Sequence, residues 1–187
     1  MHIKNIFTIV IMETAPSDTF SPLSSKWNLY YHLQTDPSWS IDSYKVVMKD
    51  IDTLECVNAL NNALPEYLLY NCMFFCMKSG IAPIWEDARN RVGGCFSYRV
   101  PNSDVAVAWK KLMCAMCGQS LSKGTKYESH INGITVSPKN RYSVIKIWMD
   151  TCQFQDPDII QDIPCLAKEG CLFKKHDDQI AKDQNKR

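Results

Sequence analysis

Residues 80 to 94 read GIAPIWEDARNRVGG, a stretch punctuated by glycine and proline that puts one tryptophan and two carboxylates on a loop. The run before it, Tyr67 to Met77, is apolar and rich in aromatics, and reads as a buried strand closed by Ser79 and Gly80. Cys95 to Val100 resumes strand alternation after it. Gly93 and Gly94 read as a turn, because no Lys-Ser/Thr follows to make a phosphate loop.

On the N-terminal side, WNLYYHL from Trp27 to Leu33 predicts a strand that Asp36-Pro37-Ser38 breaks, so Trp39 falls on a loop. Tyr44 to Met48 reads as a second strand. Asp52 then caps a helix carrying Leu54, Val57, Leu60 and Leu64 at helical spacing, and Pro65 ends it. On the C-terminal side, Ser103 or Asp104 caps the clearest helix of the chain, with Val105, Ala108, Trp109, Leu112, Met113 and Met116 on one face and Gly118 as its stop. Ile131 to Val136 and Ser143 to Met149 form a hairpin around Pro138-Lys139-Asn140-Arg141. A third helix is expected over 156 to 168, interrupted at Pro164, and a short last strand begins at Phe173. Strands outnumber helices, and helices are inserted between hairpins. The fold class is therefore α+β with a largely antiparallel sheet.

With 187 residues, 45% of them apolar, the chain suits one domain. The expected boundaries are a flexible tail over 1 to 20, the domain over 21 to 178 and a second flexible tail over 179 to 187. Twenty-one basic residues against 20 acidic ones give no general attraction for a long polyanion, so any nucleic-acid contact must be local. Nine cysteines, an odd number at irregular spacing, point to reduced thiols in a cytoplasmic or nuclear protein. The apolar run from Ile6 to Met12 is too short for a bilayer span and lacks a cleavage site, so no membrane contact is expected. Met12 serves as a start as well as Met1 does.

Trp85-Glu86-Asp87 carries the chemistry. An indole on a loop stacks on a base, and the adjacent carboxylate accepts from the N1 and N2 hydrogens of guanine. A second indole makes a sandwich, to which a base made cationic by N7 methylation adds a cation–π contribution of ~1–2 kcal/mol. Read on three residues alone, an ordinary half-buried aromatic beside a solvated carboxylate accounts for the segment better. Cys114-Ala-Met-Cys117 and the Cys72/Cys76 pair lack a partner pair at zinc spacing and read as packing residues. His2, His32, His130 and His176 are scattered. No catalytic residue, metal or cofactor is expected.

Residues 27 to 148 as a whole resemble the eukaryotic translation initiation factor 4E family of messenger RNA cap-binding proteins. GIAPIWEDARNRVGG is similar to that family's loop with the second cap-stacking tryptophan. Trp27-Asn-Leu-Tyr-Tyr with Trp39 resembles its first strand and first stacking tryptophan, Asp52-Thr-Leu-Glu its first helix, and Trp109 with Gly118 its second helix. Gly133-Ile-Thr-Val-Ser with Ile147-Trp148 resembles a late hairpin, and Phe173-Lys-Lys-His176-Asp the start of the final region.

The resemblance implies a curved, mostly antiparallel sheet with about three helices on its convex face and a slot for 7-methylguanosine triphosphate, the cap of messenger RNA, on the other. It implies that Trp39 and Trp85 sandwich the base, that Glu86 and the Trp85 N–H read its edge, and that Trp148 touches the methyl group. The phosphates depart from the pattern: Cys95 and Ser137 stand where the family has cations. Lys139 and Arg141 are the expected replacements, with Lys146 ranked below them because a register slip would turn it to the other face. For a scaffold of the initiation factor 4G type or a 4E-binding repressor, the implied contacts are Pro22, Leu54 and Asn58. There Asn58 replaces a tryptophan, and Lys110-Lys111 replace an apolar–acidic pair, so the usual helical partner is expected to bind weakly. Two other readings compete with cap binding: an interaction protein that keeps only the fold, and a nucleotide or cap hydrolase, for which clustered acidic metal ligands are missing.

Overall fold

A computed structural model of the chain describes residues 20 to 184. The expected N-terminal tail, with the Ile6–Met12 run and the alternative start, lies outside the described residues apart from Phe20. Seven strands form one curved antiparallel sheet in the order β2-β1-β3-β5-β6-β4-β7. They are β1 (Pro22–Leu33), β2 (Lys45–Thr53), β3 (Cys72–Lys78), β4 (Gly94–Pro101), β5 (Ile131–Pro138), β6 (Tyr142–Met149) and β7 (Leu172–Lys175).

Six helices are present among the described residues: α1 (Leu54–Ala63), α2 (Glu66–Asn71), α3 (Ala88–Arg91), α4 (Val105–Cys117), α5 (Thr125–Glu128) and α6 (His176–Gln184). The first, second and fourth pack on one face of the sheet, where Trp27, Leu60, Leu69, Phe74 and Trp109 make the main core. Strand alternation divides β3 between the two faces. Phe74 and Cys76 join the helix-side core, while Phe75 and Met77 join a smaller cluster with Ile81 and Trp148 on the other side.

Tyr67 to Met77 is not one strand. Its first half is α2, which buries Leu68 and Leu69 and leaves Tyr67 and Tyr70 exposed, and only Cys72 starts the strand. An unbroken apolar run has no period to separate a buried strand from a one-sided helix, and Pro65 at the N-cap favours the helix start. The cap of α1 is Thr53 rather than Asp52; its hydroxyl accepts from the Cys56 N–H at 3.3 Å. The expected third helix shrinks to a 3-10 turn at Pro157–Ile159, with Pro164 and the left-handed Cys165 (φ 74°) in the irregular chain beyond. Past Gln179, where a tail was expected, α6 continues to Gln184 and buries Ile180.

Gly80 adopts φ 84° and makes the turn that opens the Trp85 loop. Gly93 closes the turn after α3, its N–H donating to the Asn90 carbonyl at 3.0 Å, while Gly94 already opens β4. A side chain on either would strike backbone, Met149 O from Gly93 and Lys174 O from Gly94, so both serve close strand approach.

Candidate functional site

On the sheet face opposite α1, α2 and α4 lies a pocket of about 590 Å³. Trp39, Trp85, Glu86, Lys139, Lys146 and Trp148 line it together with Tyr44, Phe75, Thr135, Ser137 and Ile180. Six of the seven residues singled out for ligand contact are thus brought together from three separate stretches of chain. Arg141, exposed in the hairpin turn, is not among the lining residues.

Trp39 is 52% exposed. It follows a turn in which Asp36 Oδ1 accepts from the Ser38 N–H at 2.9 Å. Its indole lies parallel to the His32 imidazole, with 4.5 Å between centroids and 3° between planes. His32 Nε2 is 2.7 Å from the Ser38 carbonyl, so one buried ring holds both the loop and the indole it carries. Tyr44 packs against His32 and edge-on against Phe75, each at 5.1 Å. Burial raises the Tyr44 phenol above its ordinary range, and the Glu86 carboxylate adds to the rise, so it faces the pocket as a hydroxyl.

The Trp85 loop is held by side chains that do not face the pocket. Asp87 uses both carboxylate oxygens, accepting from Ala82 N–H at 2.8 Å and Arg89 N–H at 2.9 Å. Asn90 donates to the carbonyls of Ala82 and Ile84, each at 2.8 Å. Asn132, at a bulge in β5, donates to Asn90 Oδ1 at 3.0 Å, and His176 Nδ1 bonds the Asn90 carbonyl at 2.7 Å. Glu86 is exposed beside Asp87. The loop is built from Asp87 inward and presents Glu86 outward.

Trp148 is buried; its indole N–H donates to Thr135 Oγ1 at 2.7 Å, and its ring lies 4.8 Å from His176. Pairing of Lys146 with Thr135 and Ser97 places that lysine on the same face as Trp148, two residues along. Its ammonium sits 5.2 Å from the Trp85 ring centroid. Lys146 and Lys139 therefore line the pocket, and Arg141 lies beyond the strand end that would aim it there. Cys95 faces the same side, its thiol raised by burial against the pull of Lys146 and Lys174.

Asn90, Asn132, His32, Tyr44 and His176 were not singled out as site residues from the sequence. The one local signal was Asp87-x-x-Asn90 after a Gly80 turn, the composition of a self-bonded loop. On the helical face, Pro22 pairs with Thr53, Leu54 donates its N–H to Ser21 O at 3.0 Å, and Asn58 is exposed one turn further along α1. These three share one surface. Cys114 on α4 reaches it, its thiol 4.0 Å from Asn58 Oδ1.

Residues 22 to 187 match the family model of eukaryotic initiation factor 4E. The chain is 26% identical over 172 residues to eukaryotic translation initiation factor 4E of Eremothecium gossypii, covering 88% of this chain and 75% of that protein. It is 26% identical over 154 residues to the Xenopus laevis protein of that name, covering 79% and 70%. Among solved structures it is similar to C. elegans eIF4E-3 in complex with the 4E-binding protein Mextli and cap analog, with a TM-score of 0.71 at 23% identity over 87% of this chain and 96% of that one. Schistosome eIF4E complexed with m7GpppG and 4E-BP gives 0.65 at 22% identity over 73% and 75%. At these identities the structural likeness is one of fold, and it agrees with the family match, which spans all seven strands. The chain belongs to the eukaryotic initiation factor 4E family.

Proposed function

We propose that the pocket binds the 7-methylguanosine triphosphate cap of messenger RNA, in translation initiation or its control in the cytoplasm or nucleus. The observation that carries this is the pocket's polarity: two loop tryptophans line it, with an outward carboxylate on the Trp85 loop and two lysines on the hairpin. The base stacks between Trp39 and Trp85, Glu86 accepts from its N1 and N2 hydrogens, and Trp148 meets the methyl group. No bond is made or broken in this reading.

Binding to 7-methylguanosine triphosphate, with the unmethylated nucleotide as competitor, tests it. Trp39→Ala and Trp85→Ala are each expected to weaken binding by about 1–3 kcal/mol while the thermal midpoint stays near wild type. Wild-type affinity in either variant would remove the sandwich. Lys139 and Lys146 are the phosphate contacts in this reading. Affinity is then expected to rise from the mono- to the di- to the triphosphate analogue by up to about 1 kcal/mol per step at low salt, and to fall with added salt. In Lys139→Ala/Lys146→Ala protein the series is expected to flatten. A series kept in that variant and lost in Arg141→Ala would return the site to the hairpin tip.

The convex surface of Pro22, Leu54 and Asn58 is where we place a scaffold of the 4G type or a 4E-binding repressor. Relatives of this fold are solved with 4E-binding proteins, which supports the placement. Asn58 in place of a large aromatic anchor, with the Lys110 ammonium 3.7 Å from Glu66, favours a partner that does not depend on that anchor.

A further inference from the structure

The sheet face that carries the pocket does not end at the phosphate lysines. Along β6 the residues on that face are Trp148, Lys146, Val144 and Tyr142, and along the neighbouring β4 they are Cys95, Ser97 and Arg99, as the pairing of the two strands requires. One row across the sheet runs Ser137, Val144, Arg99 and so starts from a residue that lines the pocket. Arg99 is exposed, and its guanidinium lies 5.0 Å from the centroid of the half-buried Tyr142 ring. A guanidinium beside a phenol ring makes a cationic, aromatic surface, the kind on which an unpaired base stacks while its flanking phosphates are attracted. It stands on the pocket's own face, past Lys146 and beside the hairpin that carries Lys139.

We infer that Arg99 and Tyr142 form a second RNA subsite, which takes the first nucleotides of the single strand that follows the cap. The inference rests on the cap-binding reading: the triphosphate held by Lys146 and Lys139 would deliver the next nucleotide toward this end of the strands. Continuity with the pocket and complementary charge argue for a nucleic-acid strand here. A protein partner would more readily take the apolar exposed residues on the opposite face, Leu54 and Val107. The near-zero net charge of the chain fits a short local track rather than general polyanion binding.

The test compares 7-methylguanosine triphosphate, a capped hexanucleotide and the same hexanucleotide uncapped, by fluorescence titration of wild type, Arg99→Ala and Arg99→Lys. Wild type is expected to bind the capped RNA about tenfold more tightly than the cap nucleotide. Arg99→Ala should lose most of that gain without changing affinity for the cap nucleotide. Arg99→Lys should recover only part, because it restores the charge but not the plane. Equal wild-type affinity for capped RNA and cap nucleotide would overturn the subsite, as would an Arg99→Ala loss that is the same for both. Failure of wild type to bind the cap nucleotide would instead overturn the cap reading. Thermal midpoints of the three proteins show whether any loss reflects folding.

Discussion

Between pH 6.5 and about pH 4 the protein is expected to lose about 3 kcal/mol of folding stability through His176 alone. The ring is fully buried against Trp148, with Nδ1 bonded to the Asn90 carbonyl and Nε2 without a hydrogen-bond partner among the described residues. Burial is the main cause that pushes its pKa from 6.5 down to about 4, and the Lys146 ammonium acts in the same direction. The Asn90 carbonyl and Asp177 oppose the shift without cancelling it. The unfolded chain therefore takes up a proton in this interval that the folded chain refuses. Stability from this group is fully present above pH 6.5 and is lost as pH falls toward 4. Urea unfolding of wild type and His176→Gln at pH 7, 5.5 and 4 reads the effect, since glutamine does not titrate. The stability advantage of wild type should shrink by about 3 kcal/mol between the ends of the series. A difference constant with pH would mean that the imidazole accepts its proton inside the fold. The same bond restrains Asn90, so acid is expected to loosen the Trp85 loop before the sheet.

What could be read from residue order alone has a common character: it is local. Trp39 after Asp-Pro-Ser, the hairpin about Pro138, the helix ending at Gly118 and the Trp-Glu-Asp loop each carry their signal within a few residues, and the structure has each element where it was expected. The split of Tyr67 to Met77 into helix and strand was not readable, because its apolar residues satisfy both periods until tertiary packing chooses. The face on which Lys146 stands was not readable for another reason. It depends on a cross-strand register, Thr135 opposite Lys146, that no single strand reveals. The loop's support was hardest to see. Asn132 reaches Asn90 across 42 residues and His176 reaches it across 86, and buried polar pairs at such separations leave no periodic trace.

The division of labour between the two loop carboxylates leads to the largest expected loss of affinity. Glu86→Gln should weaken binding of 7-methylguanosine triphosphate by a few kcal/mol, on the order of a hundredfold or more, with little change in stability. The side chain is exposed and, among the described residues, no hydrogen bond holds the loop through it, so amidation changes mainly what the pocket presents to the ligand. Glutamine keeps the size but replaces one acceptor oxygen with a donor. One of the two guanine N–H groups then faces an N–H instead of an oxygen, and the charge that strengthened the other bond is gone. The methylated base is itself cationic, so loss of the negative charge adds to the penalty in the same direction. Asp87→Asn is expected to act differently. Both Asp87 oxygens accept from backbone N–H groups of the loop, and an asparagine retains only one acceptor. That variant should lower the thermal midpoint and weaken binding by about 1 kcal/mol through misplacement of Trp85. Titrating both variants with the cap nucleotide and recording their melting curves separates the roles. If Asp87→Asn loses more affinity at unchanged stability than Glu86→Gln does, the carboxylate facing the base is Asp87, and the loop must rearrange on binding to free it.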